Sequence, residues 1–123
     1  KALCIAVVLI ACTKGLYEKY EVFKARTSYL EVDDKEYKKY TIEDVADNFF
    51  YSTDWVYSKD KNNKYVTLKG KTSYNDETIN IDICFSMKDG EDFFPIENVY
   101  VNDKKVSDSK ANSILKTIFN GYE

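Results

Sequence analysis

The sequence predicts an α+β fold: a four-stranded antiparallel meander with helices packed on one face. Three observations carry that expectation. Thr41–Phe50 and Ser107–Phe119 both repeat apolar residues at helical spacing. Ile79–Met87 alternates apolar and polar residues without a break, as a strand covered on one face must. Clusters of Asn, Asp, Lys, Ser and Gly separate the strand-like runs at hairpin intervals.

The first well-defined element is a helix. Thr41 supplies an N-cap with Asp44 three positions on, and Ile42, Val45, Ala46, Phe49 and Phe50 form one apolar stripe. Trp55-Val56-Tyr57 starts a strand, Lys59–Lys64 is a polar turn, and Tyr65–Lys71 returns as the second strand of a hairpin. Ser73–Glu77 turns the chain into the Ile79–Met87 strand, whose Ile79, Ile81, Ile83, Phe85 and Met87 share a face opposite Asn80, Asp82, Cys84 and Ser86. After a turn over Lys88–Asp92, Phe93–Val101 is the fourth strand, and Pro95 places it at an edge or a strand start because proline cannot donate to the ladder. Asn102–Lys105 is a tight turn. Ser107 or Asp108 then caps a helix with Ala111, Ile114, Leu115, Ile118 and Phe119 on one side and Gly121 as its C′ residue. Residues 16–40 carry weaker signals: Leu16, Tyr17, Tyr20 and Phe23 suit a helix, Tyr29–Val32 a short strand, and Lys35–Lys39 a solvated charged run.

Composition sets the class. A chain of 123 residues, 44% hydrophobic and 15% aromatic, is the size of one packed domain and too rich in aromatics for a disordered one. The net charge of −3 is spread among interleaved Lys, Asp and Glu, so there is no basic stripe to neutralise phosphates, and no nucleic-acid partner is expected.

The chain opens with ten apolar residues, Ala2–Ala11, behind Lys1. That is half the roughly 20 residues a helix needs to cross a bilayer, and it matches the apolar core of an export signal. Leu9-Ile10-Ala11-Cys12 resembles the bacterial lipobox, in which the cysteine is acylated and becomes the new N-terminus. The resemblance implies a lipoprotein signal over 1–11, an acylated tether from Cys12 through residue 40, a domain over 41–123, and a membrane partner reached through lipid on Cys12. The polar Thr13-Lys14-Gly15 that breaks the apolar run just after Cys12 is the feature that separates this reading from a buried core helix. Localisation at the bacterial cell envelope is the consequence.

A second resemblance covers Val32–Tyr122. Thr41-Ile42-Glu43-Asp44-Val45-Ala46-Asp47-Asn48-Phe49-Phe50, followed by Asp54-Trp55 and the strand Tyr65–Lys71, is similar to a family of small, largely uncharacterised exported bacterial domains with a "TIGEAFDNFF…W" helix and a "TGK" strand. Glu43 stands where that family has Gly, and Lys39-Tyr40 where it has Tyr-Pro. A fainter likeness, resting on a helix followed by Trp55-Val56-Tyr57 and an antiparallel sheet, is to the BamE and β-lactamase-inhibitor-protein folds, which bind other proteins. These likenesses imply fold, location and protein binding, with no activity attached.

Catalysis is not expected. Histidine is absent, which removes the commonest general base and metal ligand, and no phosphate loop, CxxC pair or Gly-x-Ser-x-Gly elbow occurs. Glu43, Asp44 and Asp47 fall on the first turns of a helix, where the dipole favours acids. Asp33-Asp34 and Asp89–Asp92 read as turns rather than cation sites, so neither metal nor cofactor is expected. With Cys4 and Cys12 accounted for by the signal and the lipid, Cys84 has no disulfide partner and reads as a passive thiol, since nothing near it in sequence would lower its pKa. The candidate protein-binding residues are Tyr57, Tyr65 and Tyr100, rigid amphipathic side chains on the sheet, whereas Trp55 is expected to pack beneath the first helix. The function expected is a small membrane-anchored envelope module that binds protein, with an exported inhibitor or immunity-type protein and a carboxylate-dependent hydrolase as alternatives.

Overall fold

The computed structural model describes residues 15–120 except 92, together with Tyr122. Cys4, the signal read over 1–11, Cys12 and the C′ role of Gly121 lie outside the described residues. In chain order the elements are α1 (15–26), β1 (Leu30–Val32), β2 (Lys35–Tyr37), α2 (Ile42–Phe49), β3 (Ser52–Asp60), β4 (Asn63–Tyr74), β5 (Glu77–Met87), β6 (Ile96–Val101), β7 (Lys104–Lys105) and α3 (Asp108–Ile118).

The fold is α+β, as the sequence predicts, but the sheet has five antiparallel strands in the order β3-β4-β5-β6-β7, not four, and β1 and β2 form a separate two-stranded sheet. Both additions come from two-residue turns. Asp33-Asp34 (φ 51° and 63°) closes β1–β2, and Asn102-Asp103 (φ 51° and 67°) folds β7 back on β6. Positive φ at both central residues is the turn geometry that matches strand twist, and Asn and Asp tolerate it better than other non-glycine residues. Asn75-Asp76 (φ 51° and 63°) makes the same turn between β4 and β5. The Asn102 turn is also pinned from β5: its N–H donates to the Asn80 carbonyl and its side chain accepts from the Asn80 N–H.

The long strands obey the period of two. Val66, Leu68 and Gly70 of β4 stand opposite Phe85, Ile83 and Ile81 of β5, all buried, and the polar residues between them face the other way. The fourth strand is shorter than Phe93–Val101. It begins at Ile96, after Pro95, whose carbonyl accepts the Ser86 N–H, and a bulge shifts its register between Cys84 and Phe85.

The helices cover one face. Thr41 caps α2 by accepting from the Asp44 N–H, and Ser107 caps α3 by accepting from the Lys110 N–H. Ile42, Val45 and Ala46 of α2 and Ala111, Leu115 and Ile118 of α3 enter the same core as Leu68, Ile83 and Phe85. Burying each of these aliphatic side chains contributes about 1.5–3 kcal/mol for the larger ones.

Residues 15–40 belong to that core too. Ala25, Leu30, Val32 and Tyr37 are buried in it, and the Tyr37 ring meets the Phe119 ring edge-on at 5.8 Å. The end of α1 is stitched to α2, because the Ser28 carbonyl accepts the Ile42 N–H, a donor at the helix start that would otherwise lack a partner. Arg26 of α1 pairs with Glu43 of α2. Lys116 of α3 pairs with Asp33 at the tip of the β1–β2 hairpin at 2.8 Å.

Candidate functional site

With every described helix on one side, the other face of the five-stranded sheet lies uncovered. Strand register builds this face row by row. Ser58, Tyr65 and Ser86 form one row across β3, β4 and β5, and Val56, Thr67, Cys84 and Asn98 form the next across β3 to β6. The third runs Asp54, Lys69, Asp82, Tyr100 and Lys105 across all five strands, so its charges alternate in sign from β3 to β5. Val56 is the exposed large apolar residue of the face. Its neighbours Thr67, Cys84 and Asn98 are half-buried by one another, with no element over them among the described residues.

The three tyrosines expected at a binding surface divide between the faces. Tyr65 and Tyr100 lie on the uncovered one. Tyr57 stands opposite Val66, two residues from Trp55, and therefore points to the covered side, where its ring meets Tyr17 of α1 edge-on at 6.2 Å. Trp55 and Tyr57 both pack partly buried against the core. Tyr65 stands among acidic neighbours: burial first, then Glu97, Asp60 and Cys84, push its pKa up.

Cys84 lies at the centre of the uncovered face with its thiol pKa raised, mainly by burial and also by Glu97, against a lowering hydrogen bond with Thr67. A thiol shifted in that direction is a poor nucleophile at neutral pH.

On the covered side the molecule holds a feature the sequence hides. Glu21 of α1 is only 1% exposed, and its Oε1 forms an ion pair with Lys24 at 3.2 Å and accepts from Lys64 of β4 at 3.3 Å. Both lysines also reach Asp89, in the loop after β5, at 3.2 Å. Lys64 sits over the Tyr17 ring, 5.3 Å from its centroid. Tyr17, Asp89 and Glu21 together raise the Lys64 pKa against the cost of burial, and Lys64 and Lys24 in turn hold Asp89 below the usual carboxylate range. Tyr57 alongside is raised by burial first, then by Tyr17 and Glu21. The other carboxylate oxygen of Glu21 is buried without a hydrogen-bond partner among the described residues. This network ties α1, β4 and the β5–β6 loop together.

The acidic residues considered for catalysis or cation binding are dispersed. Glu43 goes to Arg26, Asp47 accepts from Thr53, and Asp33 takes Asn112 and Lys116. Among the described residues no group of three or more potential metal ligands converges. A groove of about 410 Å³ lies between β1, β6 and α3, lined by Val32, Asp33, Ile96, Glu97, Lys105 and Asp108 among others. The Ile96–Asn98 edge of β6 borders it, because β7 pairs only with Tyr100 and Val101.

No family model, no curated protein and no solved structure matches this chain. What it does must therefore be argued from its own residues.

Proposed function

We propose that this chain is a lipid-anchored module of the bacterial envelope, acylated at Cys12, that binds another envelope protein through the uncovered face of its sheet. The observation that carries the reading is that face itself. β3, β4 and β6 present Val56, Tyr65 and Tyr100, with one row of alternating charge across the sheet, a surface that combines rigid contact area with polar groups. Two further observations support it. The lipobox-like Leu9-Ile10-Ala11-Cys12 supplies the anchor, and lipid with more than one acyl chain holds a protein stably at a membrane surface. The acids weighed for catalysis or cation binding, Glu43, Asp47 and Asp33, are engaged by Arg26, Thr53 and Lys116, which favours binding over hydrolysis.

A photo-crosslinking amino acid at Tyr65 or Tyr100 tests the surface in cells. The expected result is a discrete crosslinked protein from these positions and none from Tyr51, which is exposed but precedes β3 and lies outside the rows of the uncovered face. Equal capture from all three positions, or none from Tyr65 and Tyr100, contradicts the reading.

A further inference from the structure

Four of the eight exposed large apolar side chains among the described residues belong to α1: Leu16, Tyr17, Tyr20 and Phe23. Tyr17 turns inward to Tyr57 and Lys64, so its exposure is the lowest of the four. Leu16, Tyr20 and Phe23, spaced i, i+4 and i+7, form a stripe down the outer side of the helix with 68%, 58% and 61% of their surface open. The opposite side of α1 is the one that buries Glu21 and Ala25. A stripe of this size on a helix already anchored by its other side is surface that something else covers.

We infer that this stripe lies in the headgroup layer of a lipid bilayer, with α1 parallel to the membrane. The adjoining sequence points to the cover. Ala2–Ala11, immediately upstream, is a run of ten apolar residues, enough to enter a bilayer but half of what crossing it requires. Whether that run or an acyl chain is what enters, the next residues are held at the level of the headgroups. Tyr20 suits that layer, because an aromatic body with a polar tip can sit across the boundary between hydrocarbon and water, and Leu16 and Phe23 add apolar area beside it.

The charges of α1 fit an uncharged contact. Glu21 and Lys24 pair with each other and Arg26 pairs with Glu43, which leaves Glu18 and Lys19, of opposite sign, outside the ion pairs described. The contact therefore rests on apolar area and shows little preference for anionic lipid. Because α1 covers the helical face of the sheet, this orientation directs the Tyr65 and Tyr100 face away from the membrane, where a partner can reach it.

The inference rests on the membrane placement proposed above, and the experiment separates the two. The full chain is produced in cells with a benzophenone amino acid at Leu16, Tyr20 or Phe23, or at the exposed Tyr74 as control, and irradiated. Adducts are identified by mass spectrometry, and fatty-acid incorporation is read on the same samples. The expected result is phospholipid adducts at the three α1 positions at least tenfold above Tyr74. Adducts at those positions to a second copy, to residues 1–11 of the same chain or to another protein overturn the inference, as does the absence of lipid adducts. A chain that carries fatty acid yet gives no lipid adduct refutes the α1 contact and leaves the anchor standing. Lipid adducts on a chain without fatty acid support the α1 contact and refute acylation.

Discussion

The ring of Phe50 lies so close to the backbone of Gly70 that a β-carbon on Gly70 would sit 2.6 Å from three ring carbons. Phe50 is where α2 gives way to the extended chain leading into β3, and its buried ring lands on the middle of β4. Gly70 leaves the gap that lets α2 approach the sheet. Gly70→Ala is expected to destabilise the domain by about 1–3 kcal/mol through overpacking. The same substitution in a Phe50→Leu background should cost less, because the two sites share one contact. Urea unfolding of the four proteins checks this, and equal costs in both backgrounds would place the strain elsewhere.

Glu21 predicts an asymmetry among charge deletions. Lys64→Met leaves a buried carboxylate with Lys24 alone and should destabilise by about 3 kcal/mol, while Glu21→Gln together with Lys64→Met should recover part of the loss. The pH dependence follows from the shifts. The Lys64 pKa is raised, so its stabilising contribution is complete below the unfolded lysine pKa of about 10.4 and is lost as pH rises through the folded value. The Asp89 pKa is lowered, so its contribution is present above about 3.9 and is lost as pH falls through the folded value. The stability gap between wild type and Lys64→Met should therefore be widest between these limits and narrow at both ends. Chemical denaturation across pH reads it, and a gap that is flat with pH would mean that packing, not charge, holds α1 to β4.

Cys84 should alkylate slowly, with its rate rising at a pH above the ordinary cysteine midpoint of about 8.5, because burial disfavours the thiolate. Peptide-resolved iodoacetamide kinetics distinguishes Cys84 from the other cysteines. A fast reaction at pH 7 would make Cys84 a reactive thiol.

The parts of this fold legible in the sequence were those with long, unbroken periods. The alternation of Ile79–Met87 and the stripes of α2 and α3 survive into the structure because each element buries one continuous face. β1 is legible as the short strand read over Tyr29–Val32, but β2, read as part of a solvated charged run, and β7, read as a turn, are not. They are two or three residues long, and it is the Asp33-Asp34 and Asn102-Asp103 turns, not apolar alternation, that create them. The burial of Glu21 depends on Lys64, 43 residues away, and so leaves no local signature. The orientation of Tyr57 did leave one: it lies two residues from Trp55 on the same strand, so a core-facing Trp55 already turns Tyr57 to the covered side.

Substituting Tyr65 and Tyr100 together by Ser should weaken capture of the envelope partner at least tenfold, the range expected when aromatic anchors near the centre of an interface are removed. Thermal unfolding of the variant controls for stability, since both residues are only half-buried. Undiminished capture by a folded variant would move the binding surface to the edge of β6 beside the Glu97 groove.

Anchoring through Cys12 is read out by metabolic labelling with an alkyne fatty acid, wild type beside Cys12→Ala, followed by membrane fractionation. Label is expected on the wild type and none on Cys12→Ala, with a wild-type chain in the membrane fraction that has lost residues 1–11. An unlabelled wild type that keeps residues 1–11 would contradict this anchoring.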